Sequence, residues 1–392
     1  MIVKDEAASL SRCLESVRGI VDEMIVLDTG STDATPAIAR SHGAKVHHFA
    51  WCHDFSAARN KALKYVTADW VLVLDADEVL VPAIGPVLKK AIRQERALVI
   101  NLMRQEIGAT QSPYSLVSRL FRHHPDLYFT RPYHAMVDDS VALLLQKEPD
   151  WQIVDCPDVA ILHYGYEPGA IADRDKLQKA KTTMEGFYAA HPDDPYVCSK
   201  LGALYVEMGN LPKGINLLKQ GLQSSQLVGA DAPVLYELHY HLGIAYSRSQ
   251  QIEPAALHYH LATQQPILDR LKLGAYNNLA GLLKAQGNLI KAQQFYQTCV
   301  MIDPTFAIGH CNLGATFKAM GQMAAAMDHY QKAIQLDPNY AEAHQNLGVV
   351  LLKVGRVTES LAAFRRAIEL HQHSNAAEAE RLQRGLEEMG LL

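Results

Sequence analysis

Trp70-Val71-Leu72-Val73-Leu74-Asp75-Ala76-Asp77-Glu78 is the stretch that decides the fold. Five apolar residues in a row, with no polar alternation, read as a parallel strand buried on both faces. Two carboxylates spaced i, i+2 at the carboxyl end of such a strand sit at the mouth of an open α/β sheet, where ligands bind. Hard oxygen ligands there suit Mg²⁺ or Mn²⁺ carrying a diphosphate. Taken alone, the pair reads more simply as an acidic loop capping the next element.

The residues upstream change that balance. Met24-Ile25-Val26-Leu27 is a second apolar run, ending in Asp28-Thr29-Gly30-Ser31-Thr32-Asp33. A helical pattern follows through Pro36, Ile38 and Ala39 and stops at Gly43; Ser31, Thr32 or Asp33 can cap it, and Pro36 suits its first turn. Lys45-Val46-His47-His48-Phe49 reads as a third strand. Asp54 to Leu63 then opens a helix leading into the Asp75–Asp77 strand. Strands alternating with helices of about ten residues predict βαβ units and a parallel sheet. Asp28 and Asp75 then end different strands of one sheet, on the same edge.

Four segments in this order carry a resemblance: Met1-Ile2-Val3-Lys4-Asp5-Glu6, Asp28 to Thr35, Asp54-Phe55-Ser56-Ala57-Ala58-Arg59-Asn60, and Asp69 to Glu78. Together they resemble family 2 glycosyltransferases of the GT-A fold, in the bacterial branch whose catalytic domain is followed by tetratricopeptide repeats. The expected fold is therefore α/β plus all-α. A Rossmann-like, mostly parallel catalytic domain spans residues 1–190, with a connecting helix from about residue 168. A repeat array spans 191–374 and a capping helix 375–392. Relatives usually have several more residues before the stretch matched by Met1-Ile2-Val3, so either the first strand is short or the start lies upstream.

The resemblance also implies roles. Asp28 reads the nucleotide base, and the Val3 backbone, with Lys4 and Glu6, lines the same pocket. Arg59 or Asn60 lies near the nucleotide or the sugar. Asp75 touches the ribose or a metal-bound water. Asp77 contacts the metal, Mn²⁺ or Mg²⁺, directly. His163, in Ile161-Leu162-His163-Tyr164-Gly165-Tyr166, is a further metal or diphosphate ligand. Lys179 neighbours the diphosphate, where relatives often have arginine. The implied reaction is metal-dependent, inverting transfer of a sugar from a nucleoside-diphosphate donor, UDP-linked, to a peptide, protein or glycan. The alternative is a non-catalytic repeat scaffold with a degenerate enzyme domain. A nucleotidyltransferase is disfavoured, because Lys4-Asp5-Glu6-Ala7-Ala8 lacks the glycine of a phosphate loop.

The catalytic base is the open point. Relatives commonly have a His-Glu pair where this chain has His134-Ala135, and alanine takes no proton. His134 has a suitable ordinary pKa near 6.5. Asp138 or Asp139, a turn further on, is the preferred expectation, since an inverting enzyme of this fold typically uses a carboxylate. A thiol acceptor would need less help.

The second half is periodic. Leu201-Gly202, Leu242-Gly243, Leu279-Ala280, Leu313-Gly314 and Leu347-Gly348 align, and the last two intervals are 34 residues, the tetratricopeptide period. Seven residues on come Gly209, Gln250, Gly287, Gly321 and Gly355. Insertions are expected near Ser224–Asp231 and Pro266–Leu271. Small residues let paired helices approach, and each pair leaves an apolar face that only its neighbour covers. Such an array predicts a groove that selects a peptide, protein or glycan acceptor; a homo-oligomer also remains open. His239, His241, His258 and His260 cluster in one repeat, but i, i+2 spacing puts neighbours on different helix faces and argues against a metal site.

Composition fits a soluble two-part chain. At 392 residues with a formal charge of -5, it gives no reason to expect nucleic acid as a partner. No run of about 18 apolar residues suggests a transmembrane segment, and no leader pattern follows Met1. The six cysteines are scattered without a C-x-x-C pair. They predict reduced residues of a cytoplasmic protein.

Overall fold

β1 (Ile2–Val3), β2 (Ile25–Asp28) and β3 (Lys45–His48) form a parallel sheet in that order. The computed structural model describes residues 1–109, 112–133, 135–165 and 174–391. Val26 and Leu27 are wholly buried, as the unbroken apolar run requires. Leu10 and Leu14 of α1 (Leu10–Ser16) and Ala39 of α2 (Thr35–Ser41) pack in the same core. α3 (Phe55–Leu63) begins where the sequence places it. The Asp54 carboxylate caps it, accepting the amides of Ser56 at 2.8 Å and Ala57 at 3.0 Å.

The strand that ends in Asp75 lies elsewhere. β4 (Trp70–Leu72), β5 (Glu78–Leu80), β6 (Ala97–Glu106), β7 (Tyr114–Arg122) and β8 (Gln152–His163) build a second, five-stranded sheet in the order β4-β7-β6-β8-β5. Only β6 and β8 run parallel; the other three pairings are antiparallel. The expectation of one mostly parallel sheet carrying both Asp28 and Asp75 is corrected on this point. The βαβ alternation that suggested it holds for β1 to β3. β6 and β7 pair as long antiparallel strands, with no crossover helix between them among the described residues. α4 (Gly85–Ala91) lies against one face of this sheet, with Leu88 in a cluster holding Ile100, Leu102 and Leu120. α5 (Asp138–Lys147) covers the other, Val141 and Leu144 meeting Val71, Val73, Val99 and Phe121.

Antiparallel helix pairs follow α6 (Arg174–Ala190). The first pair is α7 (Pro195–Glu207) with α8 (Leu211–Val228). A Cβ on Gly202 would come 2.7 Å from Leu218, and one on Gly214 would come 2.9 Å from the Gly202 carbonyl. Two glycines facing one another explain why this repeat departs from the usual alanine. By its internal contacts the chain divides at Ala230/Asp231, so this pair groups with residues 1–230.

The second unit, Asp231–Leu392, continues with α9 (Ala232–Arg248), α10 (Ile252–Thr263), α11 (Leu273–Ala285), α12 (Leu289–Ile302), α13 (Ala307–Ala319), α14 (Met323–Leu336), α15 (Ala341–Lys353) and α16 (Val357–Ser374). α17 (Ala376–Glu388) lays Leu382 and Leu386 onto Phe364 and Ala367 of α16. The Pro266–Leu271 insertion runs into a short 3₁₀ turn, Asp269–Lys272. Gly287, Gly321 and Gly355 take φ between 77° and 80° at the hairpin turns, and Gln250 occupies the equivalent left-handed position at 59°. No helix among the described residues is long and apolar enough to cross a membrane.

Candidate active site

The loop after β1 and the loop after β2 are tied into one rim. The Asp5 amide donates to Ser31 Oγ at 2.9 Å, and the Thr32 amide donates to the Asp5 carboxylate at 2.7 Å. The Glu6 amide donates to Thr35 Oγ1 at 2.7 Å, and the Ala7 amide to Asp33 Oδ2 at 3.1 Å. Asp5 takes a left-handed backbone, φ 55°, to make this exchange. The Val3 carbonyl accepts from the Thr29 amide at 2.9 Å and hydroxyl at 3.0 Å. Asp28 is buried beneath the rim. Its carboxylate accepts from the Ser31 amide at 3.2 Å, the Gly30 amide at 3.3 Å and His48 Nδ1 at 3.1 Å. Burial works against its charge, yet these donors hold its pKa below the usual value.

Asp75 lies between two arginines. Arg59 of α3 donates to Oδ1 at 2.8 Å and Arg119 of β7 to Oδ2 at 2.6 Å. Burial alone would raise this carboxyl, but the two guanidinium groups outweigh it and keep it well below the usual carboxylate range. Burial, together with Arg119, lowers Arg59 to about 10, so it stays charged at neutral pH. Arg59 Nε and Arg119 Nη1 are buried without a hydrogen-bond partner.

A chain of alternating charge runs on from Arg119. Glu78, fully buried, accepts from Arg104 at 2.8 Å and from the Asp75 amide at 2.9 Å, and lies 3.6 Å from Arg119. Arg104 also donates to Glu106 at 2.9 Å. Glu106 bonds His163 Nδ1 at 2.5 Å, and His163 Nε2 faces Asp77 Oδ2 at 3.3 Å. Burial disfavours the charged imidazole, but Asp77 and Glu106 outweigh that and raise its pKa to about 9. The Tyr164 amide donates to the Asp77 carbonyl at 3.1 Å, so the His163-Tyr164-Gly165 segment and the Asp75–Asp77 turn hold each other. Arg104 and Glu106 carry no role in the sequence reading, and Arg119 enters it only within Ser118-Arg119-Leu120-Phe121-Arg122, which resembles the family's R-L-F-R strand. Their signal is a charge inside an otherwise apolar strand, which costs several kcal/mol of desolvation unless paired.

The rest of the expected site sorts into two groups. Asn60 does not face the cleft with Arg59. Its amide clamps the Phe129 backbone, donating to the carbonyl at 2.8 Å and accepting from the amide at 2.7 Å, so both its polar atoms are spent on holding a loop. Asp139 is similarly committed. Arg131 grips it with two bonds of 2.9 Å and Thr130 adds one of 2.5 Å. Burial would raise its pKa, but these partners lower it, the wrong direction for a base. Arg131, at φ 68°, also meets Asp194 at 3.2 Å and the Tyr196 ring at 4.3 Å. Asp139 thus belongs to a clasp holding α7 to the enzyme domain. Asp138 accepts a bond of 2.9 Å from Ser118 Oγ. His134 and the side chain of Lys179 lie outside the described residues.

A β-bulge brings these groups together. Between the pairs Ile100↔Leu120 and Leu102↔Val117, the one residue Asn101 of β6 opposes both Ser118 and Arg119 of β7. Without the extra residue, alternation would send Ser118 and Arg119 to opposite faces. With it, Arg119 reaches Asp75 and Ser118 reaches Asp138, on the face that α3 and α5 cover.

The sequence profile described as Glycosyl transferase family 2 matches residues 1–154, and tetratricopeptide profiles match 273–306, 316–355 and 341–372. A TPR repeat-containing protein of Synechococcus elongatus is 46% identical over 289 residues, 74% of this chain and 71% of the relative. The chain belongs to the family 2 glycosyltransferases that carry C-terminal tetratricopeptide repeats. Its match to the glycosyltransferase SunS of Bacillus subtilis is 27% identical over 199 residues, 50% of this chain and 46% of SunS. It thus spans less than half the length of that relative. An uncharacterized glycosyltransferase of Rickettsia felis is 45% identical over 80 residues, 20% of this chain and 28% of that protein.

Membership in this family is consistent with a divalent ion at the Asp75–Asp77 turn. Among the described residues no three His, Cys, Asp or Glu side chains converge as a cage. Asp77 and His163 converge as a pair, and a hydrated divalent ion commonly uses one or two protein ligands with phosphates and water supplying the rest. Glu106 behind His163 is the kind of carboxylate that orients a ligating imidazole. Gly165 leaves the approach open, since a Cβ there would lie 2.6 Å from His163 Nε2 and 3.5 Å from Asp77 Oδ2. The residues present fit a shared ion.

Proposed function

We propose that this chain transfers a sugar, with inversion, from a nucleoside-diphosphate donor to a macromolecular acceptor, and that the transfer requires Mn²⁺ or Mg²⁺. The observation that carries the reading is the Asp75–Asp77 turn, gripped by Arg59 and Arg119 on one side and by His163 on the other. Asp77 and His163 would hold the ion, which neutralises charge on the departing diphosphate. Asp75, fixed in its ionised form, accepts a ribose hydroxyl or a water on the ion. Arg59 and Arg119 add positive charge next to the leaving group, in a buried setting where water screens little. The rim that buries Asp28 receives the base, which we take to be uracil. We assign the acceptor's proton to Asp138, which β7 sets over the same surface as Asp75 through Ser118 and Arg119.

The repeats supply acceptor selection, for which an extended peptide or protein segment is the natural partner of such an array. Calorimetry of UDP binding with Mn²⁺ and with chelator tests the donor half. Affinity should collapse without the ion and in Asp77→Ala. Equal affinity in all three conditions would remove the metal from the mechanism.

A further inference from the structure

The acceptors expected to meet the donor's base are already occupied. The Val3 carbonyl takes both the amide and the hydroxyl of Thr29. The Asp28 carboxylate takes the Gly30 and Ser31 amides and His48 Nδ1. Only 4% of the Asp28 side chain is exposed, against 61% of the His48 side chain beside it. A base settling on this rim meets the imidazole before the carboxylate.

His48 belongs to the same row. Val3, Asp28 and His48 each end their strand and lie side by side in the sheet register. They form the carboxyl edge of the parallel sheet, the side on which such sheets bind ligands. Alternation puts His48 on the face of Val46, which packs in one cluster with Ala39 of α2. Arg40, in the last turn of α2, reaches back to it from there.

The two partners fix the tautomer of His48. An ionised carboxylate only accepts, so Nδ1 carries the hydrogen and donates it to Asp28 at 3.1 Å. A guanidinium only donates, so Nε2 carries the lone pair, and Arg40 Nη2 lies 3.4 Å from it. That second contact is long and solvent-exposed, and it exchanges readily for a better one. Together His48 and Arg40 offer a ligand an acceptor with a donor next to it. Uracil presents the complement, a ring N–H flanked by two carbonyls. Cytosine and adenine present a ring lone pair at that edge, which would face the lone pair of Nε2.

We propose that His48 is the residue that reads the donor's base, an inference that rests on the nucleoside-diphosphate reading above. Its Nε2 accepts the ring N–H, and Arg40 turns its own N–H from His48 to the adjacent carbonyl. One long hydrogen bond is given up and two are made. Asp28 acts at one remove, holding the imidazole in place and in the tautomer that accepts. A base that lacks the ring N–H leaves Nε2 facing another lone pair, which costs roughly 10- to 100-fold in affinity.

Calorimetry on the full 392-residue chain with Mn²⁺ is the test. The ligands are UDP, CDP, GDP and UDP methylated on the ring N–H; the proteins are the wild type, His48→Phe and His48→Gln. The wild type should bind UDP about 10- to 100-fold more tightly than CDP or the methylated ligand. His48→Phe keeps a flat ring over Asp28 but has no lone pair, and should bind these three nearly alike. His48→Gln donates to Asp28 and accepts from the base at once, and should restore the preference, which separates loss of reading from loss of fold. Guanine carries the same N–H beside a carbonyl. GDP bound more tightly than UDP, with the same loss in His48→Phe, would keep the role of His48 and change the base. A His48→Phe protein as selective as the wild type would overturn the assignment, as would a wild type that binds UDP and CDP equally. If the wild type binds no nucleoside diphosphate, the donor reading itself falls, and this inference with it.

Discussion

Gly165 is a small residue with a specific task. Its missing Cβ leaves the approach to His163 Nε2 and Asp77 Oδ2 open. Gly165→Ala should weaken Mn²⁺-dependent UDP binding about 10- to 100-fold, the usual cost of disturbing a ligand's surroundings. The thermal midpoint should stay nearly unchanged. Calorimetry with Mn²⁺ decides it, and wild-type affinity in the variant would exclude an ion between these two side chains. Glu106→Gln keeps the shape behind His163 but removes the charge, and should cost a similar factor in metal affinity. Asp77 and His163 could be proposed from the sequence because each sits in a short motif that resembles the family's. Arg104 and Glu106 could not, and the pairing of Arg119 with Asp75 could not, because these residues meet only through sheet pairing. Asp139 has the right residue type in the right place, and only the geometry shows that Arg131 already holds it.

Among the elements, β7 decides what the site contains. Its bulge at Ser118–Arg119 turns two neighbouring side chains toward one face and sets Asp138 and Asp75 over the same surface. Asp138→Asn should lower turnover about 10²- to 10⁴-fold, as loss of a general base does, while donor binding holds. A loss under about tenfold would exclude Asp138 as the base. The helix hairpins were legible in far more detail than the sheets. Their contacts are local and recur from one helix pair to the next, at 34 residues in the last two intervals, so each repeat reports on the next. The sheet order depends on pairings such as β4 with β7, which no local pattern encodes. One turn breaks the repeat rule and gives a test. Gln250 takes φ 59° where the other hairpins have glycine. Left-handed backbone costs a side-chain-bearing residue about 1–2 kcal/mol, and glycine's extra freedom in the unfolded chain gives back about 0.5–1 kcal/mol. Gln250→Gly should therefore stabilise the second unit by roughly 0.5–1 kcal/mol in a denaturant titration. No change would mean that the glutamine side chain compensates elsewhere.

At the scale of the whole chain, the internal contacts divide at Ala230/Asp231, one helix pair into the repeats. The side chains assigned to donor binding all precede α7, and a chain ending at Ala230 should keep Mn²⁺-dependent UDP affinity while losing the macromolecular acceptor. Unchanged transfer to that acceptor would remove selection from the later repeats. Those repeats also share a feature that makes them sensitive to acid. His239 and His258 place their Nδ1 atoms 3.0 Å apart, and His310 and His329 repeat the contact at 3.1 Å. Across each contact one ring must donate and the other accept, so at most one ring can be protonated without setting two donors face to face. Burial lowers the pKa of both His310 and His329 from the ordinary 6.5. His310 also feels Lys332, which lowers it further, while the Pro304 carbonyl and Asp303 oppose. His329 is lowered further by His310 and opposed by Asp328. A histidine depressed in the folded state binds its proton first in the unfolded chain. Stability is therefore full above about 6.5, the unfolded value, falls as the pH drops below it, and levels off once the pH passes the folded value. The thermal midpoint of residues 231–392 should thus fall between about pH 7 and pH 5. Exchanging the second pair for His310→Gln with His329→Gln should flatten that slope, because neither amide titrates. If the double variant loses stability over the same range as fully as the parent, the acid sensitivity arises elsewhere in the array.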